Sequence, residues 1–208
     1  MKCNIYTLNI NNYFPEMMEI TIPLMKKYAN KIGANFVEIT KRKFPDWHIH
    51  YEKMQIYELG MDCDWNIFFD GDILVNPNMY DITKLDITKI LLKDGYRADI
   101  KFTDFINDGR NMGISSWFLA SSKYCHKIWT PLNITPKNAT KQIITSNENK
   151  RKGINSDFYQ EELALSYNLV KYNIDFNGIP ENSLFHSYES NKKEEKLNEI
   201  KIKLKEWI

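Results

Sequence analysis

Cysteine is scarce in this 208-residue sequence, and its placement excludes two kinds of stabilising site. The three cysteines, Cys3, Cys63 and Cys125, are odd in number and show no Cys-x-x-Cys spacing. A disulfide framework pairs its cysteines, and a structural zinc site uses closely spaced thiolates. We therefore expect neither kind of site, and we expect the protein to reside in a reducing compartment.

Long apolar runs are also missing. No stretch reaches the roughly 18 consecutive apolar residues that a membrane span needs. The first residues, from Met1 to Tyr6, lack the apolar centre of a signal peptide. The sequence therefore predicts a cytoplasmic protein with no transmembrane segment.

An excess of charge of one sign is absent as well, since 28 Lys and Arg face 27 Asp and Glu and leave a net charge of +1. Proteins that bind nucleic acid usually carry a positive excess, because it neutralises phosphates. The 8 glycines and 7 prolines are too few for a fibrous or low-complexity chain. The composition predicts a globular domain without a nucleic acid partner.

The first half of the chain alternates between the two kinds of secondary structure. Strands are predicted at residues 2–8, 36–39 and 65–69. Helices are predicted from Pro15 to Gly33, with a kink at Pro23 or a true start near it, and at residues 51–61. Strands that alternate with helices at this spacing indicate βαβ units, so we expect an α/β fold with a mainly parallel central sheet flanked by helices.

The second half is less regular, and its predicted elements follow in chain order. They are strands at residues 99–105, 116–120 and 174–176, helices at 123–129 and 157–173, a loop at 136–152 and an irregular segment at 179–190. Residues 191–208 have apolar side chains at helical spacing among mixed Lys and Glu, which indicates an amphipathic helix docked on the domain. We expect residues 1–190 to form the functional domain and residues 191–208 to pack on it.

The most informative segment is an apolar strand that ends in two carboxylates separated by one glycine. The run Trp65–Phe69 is followed by Asp70, Gly71 and Asp72. In an open α/β sheet, ligands bind beyond the carboxyl ends of the strands. Two carboxylates at such an end can hold a divalent cation, and the glycine allows a diphosphate to approach. The alternative is an Asp-Gly hairpin between residues 67–69 and 73–75.

This strand and its Asp70-Gly71-Asp72 sequence resemble the DxD motif of GT-A glycosyltransferases. Other pieces follow in the order that the family shows. They are Tyr6, Thr7, Leu8 and Asn9 at the start of the nucleotide pocket, Lys53 on the helix before the DxD strand, Arg110, Asn111 and Gly113 along the donor sugar, and the acidic pair Glu161 and Glu162 on a later helix. The sequence is most similar to the small GT-A domains of large DNA viruses of the chlorella virus type, and less so to glycogenin-like enzymes.

The resemblance implies a single Rossmann-like GT-A domain that uses Mn²⁺ or Mg²⁺. Asp70 and Asp72 would bind the metal, and His186 would be a third ligand, as in glycogenin-like enzymes. Asp70 and Gly71 would also contact the donor, together with Lys53. The implied partners are a UDP-sugar donor and a glycan or glycoprotein acceptor. A viral protein of this kind would act in the host cytoplasm.

A glycosyltransferase also needs a carboxylate, either as a base toward the acceptor or as a group that stabilises positive charge on the sugar. Glu162 is our first candidate, followed by Glu161 and Asp157. Neighbouring residues on a helix point about 100° apart, so we expect only one carboxylate of the acidic pair to face the cleft.

Two other functions remain open from the sequence. In a haloacid-dehalogenase-type phosphohydrolase, Asp70 would be the nucleophile and Asp72 the acid and base. In a catalytically silent sugar-nucleotide or glycan-binding domain, the same fold would bind the donor without transfer. We expect a transferase of a hexose or deoxyhexose.

Overall fold

The structure is a computed structural model, and it describes residues 1–93, 95–102, 112–145, 155–187 and 192–207. Its centre is a six-stranded sheet. In chain order, the strands of this sheet are β1 (Cys3–Leu8), β2 (Asn35–Ile39), β3 (Trp65–Phe69), β5 (Ile90–Leu92), β8 (Phe118–Ser122) and β10 (Phe176–Gly178). They lie side by side in the order β10-β5-β8-β3-β1-β2.

Five of these six strands run in the same direction. The pairs β1 with β2, β1 with β3 and β5 with β10 are parallel, whereas β8 is antiparallel to both β3 and β5. This arrangement confirms the expected α/β fold with a mainly parallel sheet. All five residues of β3 are buried, which agrees with their apolar sequence and with a position between β1 and β8.

The described part of the chain also contains two small antiparallel sheets. One pairs β4 (Leu74–Val75) with β11 (Leu184–Phe185). The other contains β6 (Tyr96–Phe102), β7 (Met112–Ile114) and β9 (Ile143–Thr145), in the order β7-β6-β9. The first sheet matters for function, because it brings a late part of the chain beside the segment that follows β3.

The helices surround the sheet. The α-helices are α1 (Pro15–Ile32), α2 (Ile56–Leu59), α3 (Pro136–Thr140), α4 (Gln160–Lys171) and α5 (Lys193–Trp207), and the 3₁₀ helices cover Ile49–Gln55, Ile82–Lys84, Lys123–Trp129 and Ser156–Tyr159. Helix α1 begins with Pro15, where the missing N–H costs nothing, and Pro23 lies inside it. It ends at Gly33 in the left-handed conformation, with φ 69°.

The hairpin alternative for the Asp-Gly sequence is wrong. Strand β4 pairs with β11, while β3 pairs with β1 and β8, so the segments on the two sides of Gly71 are not partners in one ladder. The central position of β3 leaves it no free edge, which is the physical reason that a hairpin cannot form there.

Several predicted bounds also differ from the structure. The predicted loop at 136–152 contains α3 and β9, and its residues 146–152 lie outside the described chain. Residues 51–55 and 123–129 belong to 3₁₀ helices, and within the predicted helix at 51–61 only residues 56–59 are α-helical. The irregular segment at 179–190 contains β11, and strands β8 and β10 each begin two residues later than predicted.

Helix α5 packs on the body of the protein through one fully buried residue. Ile200 lies in a cluster with Phe14, Met17 and Leu74, and partly buried side chains of α5 pack around it. Among the described residues, no helix is both long enough and apolar enough to cross a membrane.

Candidate functional site

A cavity of about 280 Å³ opens at the carboxyl ends of β1 and β3. Its apolar part is formed mainly by the end of β1 and the start of α1. Its polar part contains the Asp70-Gly71-Asp72 turn and the acidic pair. The principal lining residues are Leu8, Ile10, Tyr13, Phe14, Met17, Met18, Ile49, His50, Asp70, Gly71, Asp72, Ser116, Trp117, Phe158, Glu161, Glu162, His186, Ser187 and Lys196.

Backbone hydrogen bonds fix the turn that follows β3. The Asp70 N–H donates to the Trp117 carbonyl at 2.9 Å, and the Ile73 N–H donates to the Asp70 carbonyl at 3.1 Å. The Thr21 hydroxyl of α1 donates to the Gly71 carbonyl at 2.6 Å. A Cβ at Gly71 would lie 3.0 Å from the Met18 Cε, so the glycine permits a close approach of α1. The two carboxylates therefore project from a rigid turn.

Asp70 is tied to the interior by Lys53. The Lys53 Nζ lies 3.0 Å from Asp70 Oδ1 and 3.5 Å from Glu161 Oε1, and it donates to the Ser116 carbonyl at 3.3 Å. The Lys53 side chain is 1% exposed, and its ammonium also sits 4.9 Å from the centre of the Phe68 ring. Lys53 is thus a buried cation that joins the turn after β3 to the first turn of α4.

Burial dominates the ionisation of Asp70. Loss of water raises its pKa to about 6, and the ion pair with Lys53 only partly offsets this effect, while the nearby negative charge of Asp72 adds to it. For Lys53, burial would lower the pKa, yet the surrounding carboxylates, Asp70 first, raise it above its ordinary value. Lys53 therefore stays charged at neutral pH.

Asp72 faces the late part of the chain. Its Oδ2 lies 3.3 Å from His186 Nε2 and 3.4 Å from Lys196 Nζ on α5. The His186 ring stacks on Trp117 with centroids 5.4 Å apart and planes inclined by 17°. Although burial alone would raise the pKa of Asp72, the His186 hydrogen bond and the charge of Lys196 hold that pKa below its ordinary value. Asp72 is therefore ionised at neutral pH.

Both members of the acidic pair line the cavity, so the expectation that only one faces it is wrong. Glu161 and Glu162 lie in the first turn of α4, where the helix dipole favours negative charge. The Ser116 hydroxyl lies 3.1 Å from Glu161 Oε1 and 3.3 Å from Glu162 Oε1, and it can donate to either. Although neighbouring helix positions point about 100° apart, both carboxylates approach the same Ser116 hydroxyl and therefore face the same cavity.

His50 borders the same pair. Its Nδ1 lies 3.7 Å from Glu161 Oε1, and its ring packs edge-on against Phe158 at 4.4 Å between centroids. Burial lowers the pKa of His50 to about 4, and the charge of Glu161 only partly opposes this. His50 is therefore neutral near pH 7, so the positive charge beside Glu161 comes from Lys53. That charge, helped by a backbone hydrogen bond, holds the pKa of Glu161 below its ordinary value despite burial.

The cavity can be tested for its fit to a divalent cation. Two neighbouring ligands of an octahedral cation bound at about 2.1 Å lie about 3 Å apart. The separation of 3.3 Å between Asp72 Oδ2 and His186 Nε2 is close to this value, carboxylate is a ligand type for Mn²⁺, and histidine is the commonest side-chain ligand of metals in general. Among the described residues, no three His, Cys, Asp or Glu side chains form a ready-made metal site. Asp72 and His186 would offer a divalent cation two ligands, and the other ligands would come from a bound anion or water.

The remaining predicted site residues lie at varying distances from the cavity. Of the β1 residues, Leu8 reaches the lining, whereas the Tyr6 hydroxyl donates to Asn66 inside the core. Asn9 donates to Glu38, and Asp157 accepts a close hydrogen bond from Thr140. The other predicted residues are placed as follows: Thr7 is buried on β1, Gly113 is buried on β7, and Arg110 and Asn111 lie outside the described residues.

Several residues of the site were not predicted, and His50, Ser116, Trp117 and Lys196 are among them. Ser116 and Trp117 precede β8, and because β8 is antiparallel to β3, its beginning lies beside the end of β3. Lys196 arrives from α5. The sequence carried a weak signal for Ser116 and Trp117, which lie at the start of a predicted strand, and none for Lys196, which is one lysine among several on an amphipathic helix.

Comparison with known proteins places the fold. No protein-family model matches the sequence, and no curated protein matches it. A solved structure of a glycosyltransferase involved in the glycosylation of the major capsid of PBCV-1 has a TM-score of 0.59 and 11% sequence identity, and the match covers 97% of this chain and 100% of that one. The structure of A197 from STIV matches with a TM-score of 0.44 and 12% identity, over 91% and 87% of the two chains.

The first likeness extends over nearly the whole chain. It confirms, at the level of the fold, the resemblance to GT-A domains of the viral type that the sequence indicated. The chain therefore has the fold of a glycosyltransferase.

Proposed function

We propose that the protein is a metal-dependent glycosyltransferase that moves a hexose or deoxyhexose from a nucleotide sugar, UDP-linked, to a glycan or glycoprotein acceptor. One observation carries the proposal. The Asp70-Gly71-Asp72 turn at the carboxyl end of β3 opens into a cavity that also holds His186 and the acidic pair. The shared fold with a glycosyltransferase supports the same function.

The two ends of the cavity suit the two ends of a nucleotide sugar. Leu8, Ile10, Phe14 and Met18 offer apolar surface to a flat base, while the carboxylates and His186 lie where charged groups would sit. Ligand pockets of this mixed kind combine apolar walls with a few placed polar groups. A diphosphate between the two ends would lie next to the turn at Gly71.

Asp72 and His186 would hold the cation. When bound, a divalent cation neutralises the negative charge that develops on the leaving nucleoside diphosphate. Asp72 meets the first requirement of a ligand, since it is ionised at neutral pH. We assign Lys53 to positioning and not to the donor phosphates, because its side chain is buried and its ammonium pairs with Asp70 and Glu161.

Glu162 is the carboxylate that we assign to the reaction. Glu161 is held in the ion pair with Lys53, which makes it a weak base and a positioning residue. In an inverting reaction, the acceptor oxygen forms the new bond to the anomeric carbon as its proton passes to Glu162, and the diphosphate leaves with the bonding electrons. In a retaining reaction, Glu162 stabilises positive charge on the sugar.

The two other functions receive less support. A haloacid-dehalogenase-type phosphohydrolase carries its nucleophile at the end of the first strand, whereas here two strands and a long helix precede β3. A silent binding domain would keep the cavity and bind the donor without any transfer, so only a measurement of turnover separates it from an enzyme.

The test is a panel of nucleotide sugars with Mn²⁺, scored by thermal shift and by slow hydrolysis of the donor. A ligand at 100 times its dissociation constant adds about 2.7 kcal/mol of stability. Asp72→Asn should keep the fold and lose metal-dependent hydrolysis, while Asp62→Asn, an exposed aspartate in the turn before β3, serves as the matched control. Full metal-dependent turnover by Asp72→Asn, or turnover of a phosphatase substrate instead, would contradict the proposal.

A further inference from the structure

Helix α5 reaches the cavity through three polar contacts. The Lys193 Nζ donates to the Tyr13 carbonyl at 2.9 Å, the Lys196 Nζ lies 3.4 Å from Asp72 Oδ2, and Glu199 accepts a close hydrogen bond from the Ser187 hydroxyl. Tyr13, Asp72 and Ser187 all line the cavity. The helix is thus a wall of the candidate site as well as an element packed on the domain.

Of these three contacts, the one between Lys196 and Asp72 has the strongest chemical consequence. Its side chain is 23% exposed, and its ammonium approaches the same carboxylate oxygen, Asp72 Oδ2, that His186 approaches from 3.3 Å. That oxygen is the one that would ligate the cation beside His186. A lysine charge therefore lies 3.4 Å from the oxygen that a metal ion would bind.

The charge of Lys196 has opposite effects on a cation that binds alone and on a cation that binds together with a diphosphate. A divalent cation alone on Asp72 would be a few ångströms from an ammonium that is partly shielded from water, and like charges at such distances repel strongly. A cation that arrives with a diphosphate brings negative charge of its own, and the ammonium can pair with the phosphate oxygens. The same lysine opposes the first situation and favours the second.

We propose that Lys196 makes the binding of the divalent cation depend on the anionic donor, so that the cation and the nucleoside diphosphate bind together. This inference rests on the proposed function, because it takes Asp72 as a metal ligand and a diphosphate as its companion. The coupling is reciprocal, so Mn²⁺ must raise the affinity for UDP by the same factor by which UDP raises the affinity for Mn²⁺.

The test measures Mn²⁺ binding to the full chain without any turnover, by electron paramagnetic resonance of free Mn²⁺, in the absence and presence of UDP. Lys196→Met should bind Mn²⁺ alone about tenfold more tightly than the unchanged protein, a coupling of ordinary size between sites. In the same variant, UDP should raise the Mn²⁺ affinity by a smaller factor. Lys196→Arg should behave as the unchanged protein, because it keeps the charge.

Lys193→Met is the matched control, since it removes a lysine of the same helix that contacts a backbone carbonyl and not Asp72. If it tightens Mn²⁺ binding as Lys196→Met does, the effect comes from loosening α5, and the inference is wrong. Unchanged or weaker Mn²⁺ binding by Lys196→Met also overturns it. In that case, loss of Mn²⁺ binding in Asp72→Asn would leave the proposed metal site standing, whereas unaltered Mn²⁺ binding in Asp72→Asn would remove both.

Discussion

The two carboxylates of one turn, Asp70 and Asp72, are separated by a single glycine and yet belong to different environments. Asp70 pairs with a lysine that is almost fully buried, and the loss of water raises its pKa to about 6. Asp72 faces His186 and Lys196, which keep its pKa below the ordinary value. Environments that shift the pKa values of two carboxylates in opposite directions allow the carboxylates to take different roles.

The two sides also differ in what supports them. The Asp70 side is supported by the buried side chains of Lys53 and Glu161, and Lys53 connects the turn to Glu161 of α4. The Asp72 side is made from the late segment around His186 and from Lys196 of α5, and both of these side chains are partly exposed. We infer that the contacts of Asp70 contribute to the stability of the protein and that the contacts of Asp72 rearrange when ligands bind.

The largest effect that tests this difference is expected for Lys53→Met. Removing the ammonium leaves Asp70 and Glu161 without their buried counter-charge, and breaking a buried pair in this way costs about 3 kcal/mol or more. Urea unfolding without metal measures the change. Lys196→Met is the control on the other side, since loss of a partly exposed ion pair costs about 1 kcal/mol or less. Equal losses in the two variants would show that the two sides do not differ in this respect.

The next effect concerns the acidic pair that the Lys53 side holds in place. Glu162→Gln should lower the rate of transfer or donor hydrolysis by roughly 10²-fold or more, about 2.7 kcal/mol, because it removes a positioned base or charge stabiliser. The affinity for UDP, measured by calorimetry, should remain nearly the same.

Glu161→Gln is the matched comparison for that variant. It should lower the free energy of unfolding as well as the rate, because Glu161 shares the ammonium of Lys53. If Glu161→Gln reduces the rate more than Glu162→Gln does while stability is unchanged, then the roles that we assign to the two carboxylates must be exchanged.

The two sides of the turn could be predicted from the sequence to different extents. Asp70, Asp72, Lys53 and the acidic pair follow from local patterns and from the resemblance, since a strand end and a helix start are visible as apolar periodicity. The contact of Lys196 with Asp72 spans 124 residues, and no local pattern encodes such a distance.

The fold shows the same limit. Strands β1 and β3 and helices α1 and α5 were predicted close to their observed bounds, because long runs of regular apolar spacing mark them. The antiparallel direction of β8 and the pairing of β4 with β11 depend on tertiary packing, so they were not predicted.

A smaller effect is expected for His186→Ala on the Asp72 side. Loss of one ligand should weaken Mn²⁺ binding in the presence of UDP by about tenfold or more, which corresponds to about 1.4 kcal/mol or more. Thermal unfolding without metal should change little by comparison. In the double variant with Asp72→Asn, the two losses should not add, because both groups serve one cation. Full additivity would mean that His186 acts elsewhere.

The smallest effect is a difference in how stability depends on pH, and it compares the two carboxylates directly. Asp70 has a pKa of about 6 in the folded protein against an ordinary value of 3.8, so the folded state binds its proton more tightly than the unfolded state does. Its contribution to stability is present below pH 3.8 and is lost as the pH rises through about 6. Asp72 has the opposite sign: its contribution to stability is present above pH 3.8 and is lost as the pH falls below that value.

Urea unfolding of metal-free protein between pH 3 and 7 measures this difference. Between about pH 4 and 6, the free energy of unfolding should rise more with pH in Asp70→Asn than in the unchanged protein, by about 1 kcal/mol after screening. Asp72→Asn should change the slope in that window less than Asp70→Asn does, because the charge of Asp72 is a smaller cause of the raised Asp70 pKa than burial is. It should also lose stability less steeply than the unchanged protein in more acidic solution. The same slope in both variants would show that the turn does not hold its two carboxylates in different environments.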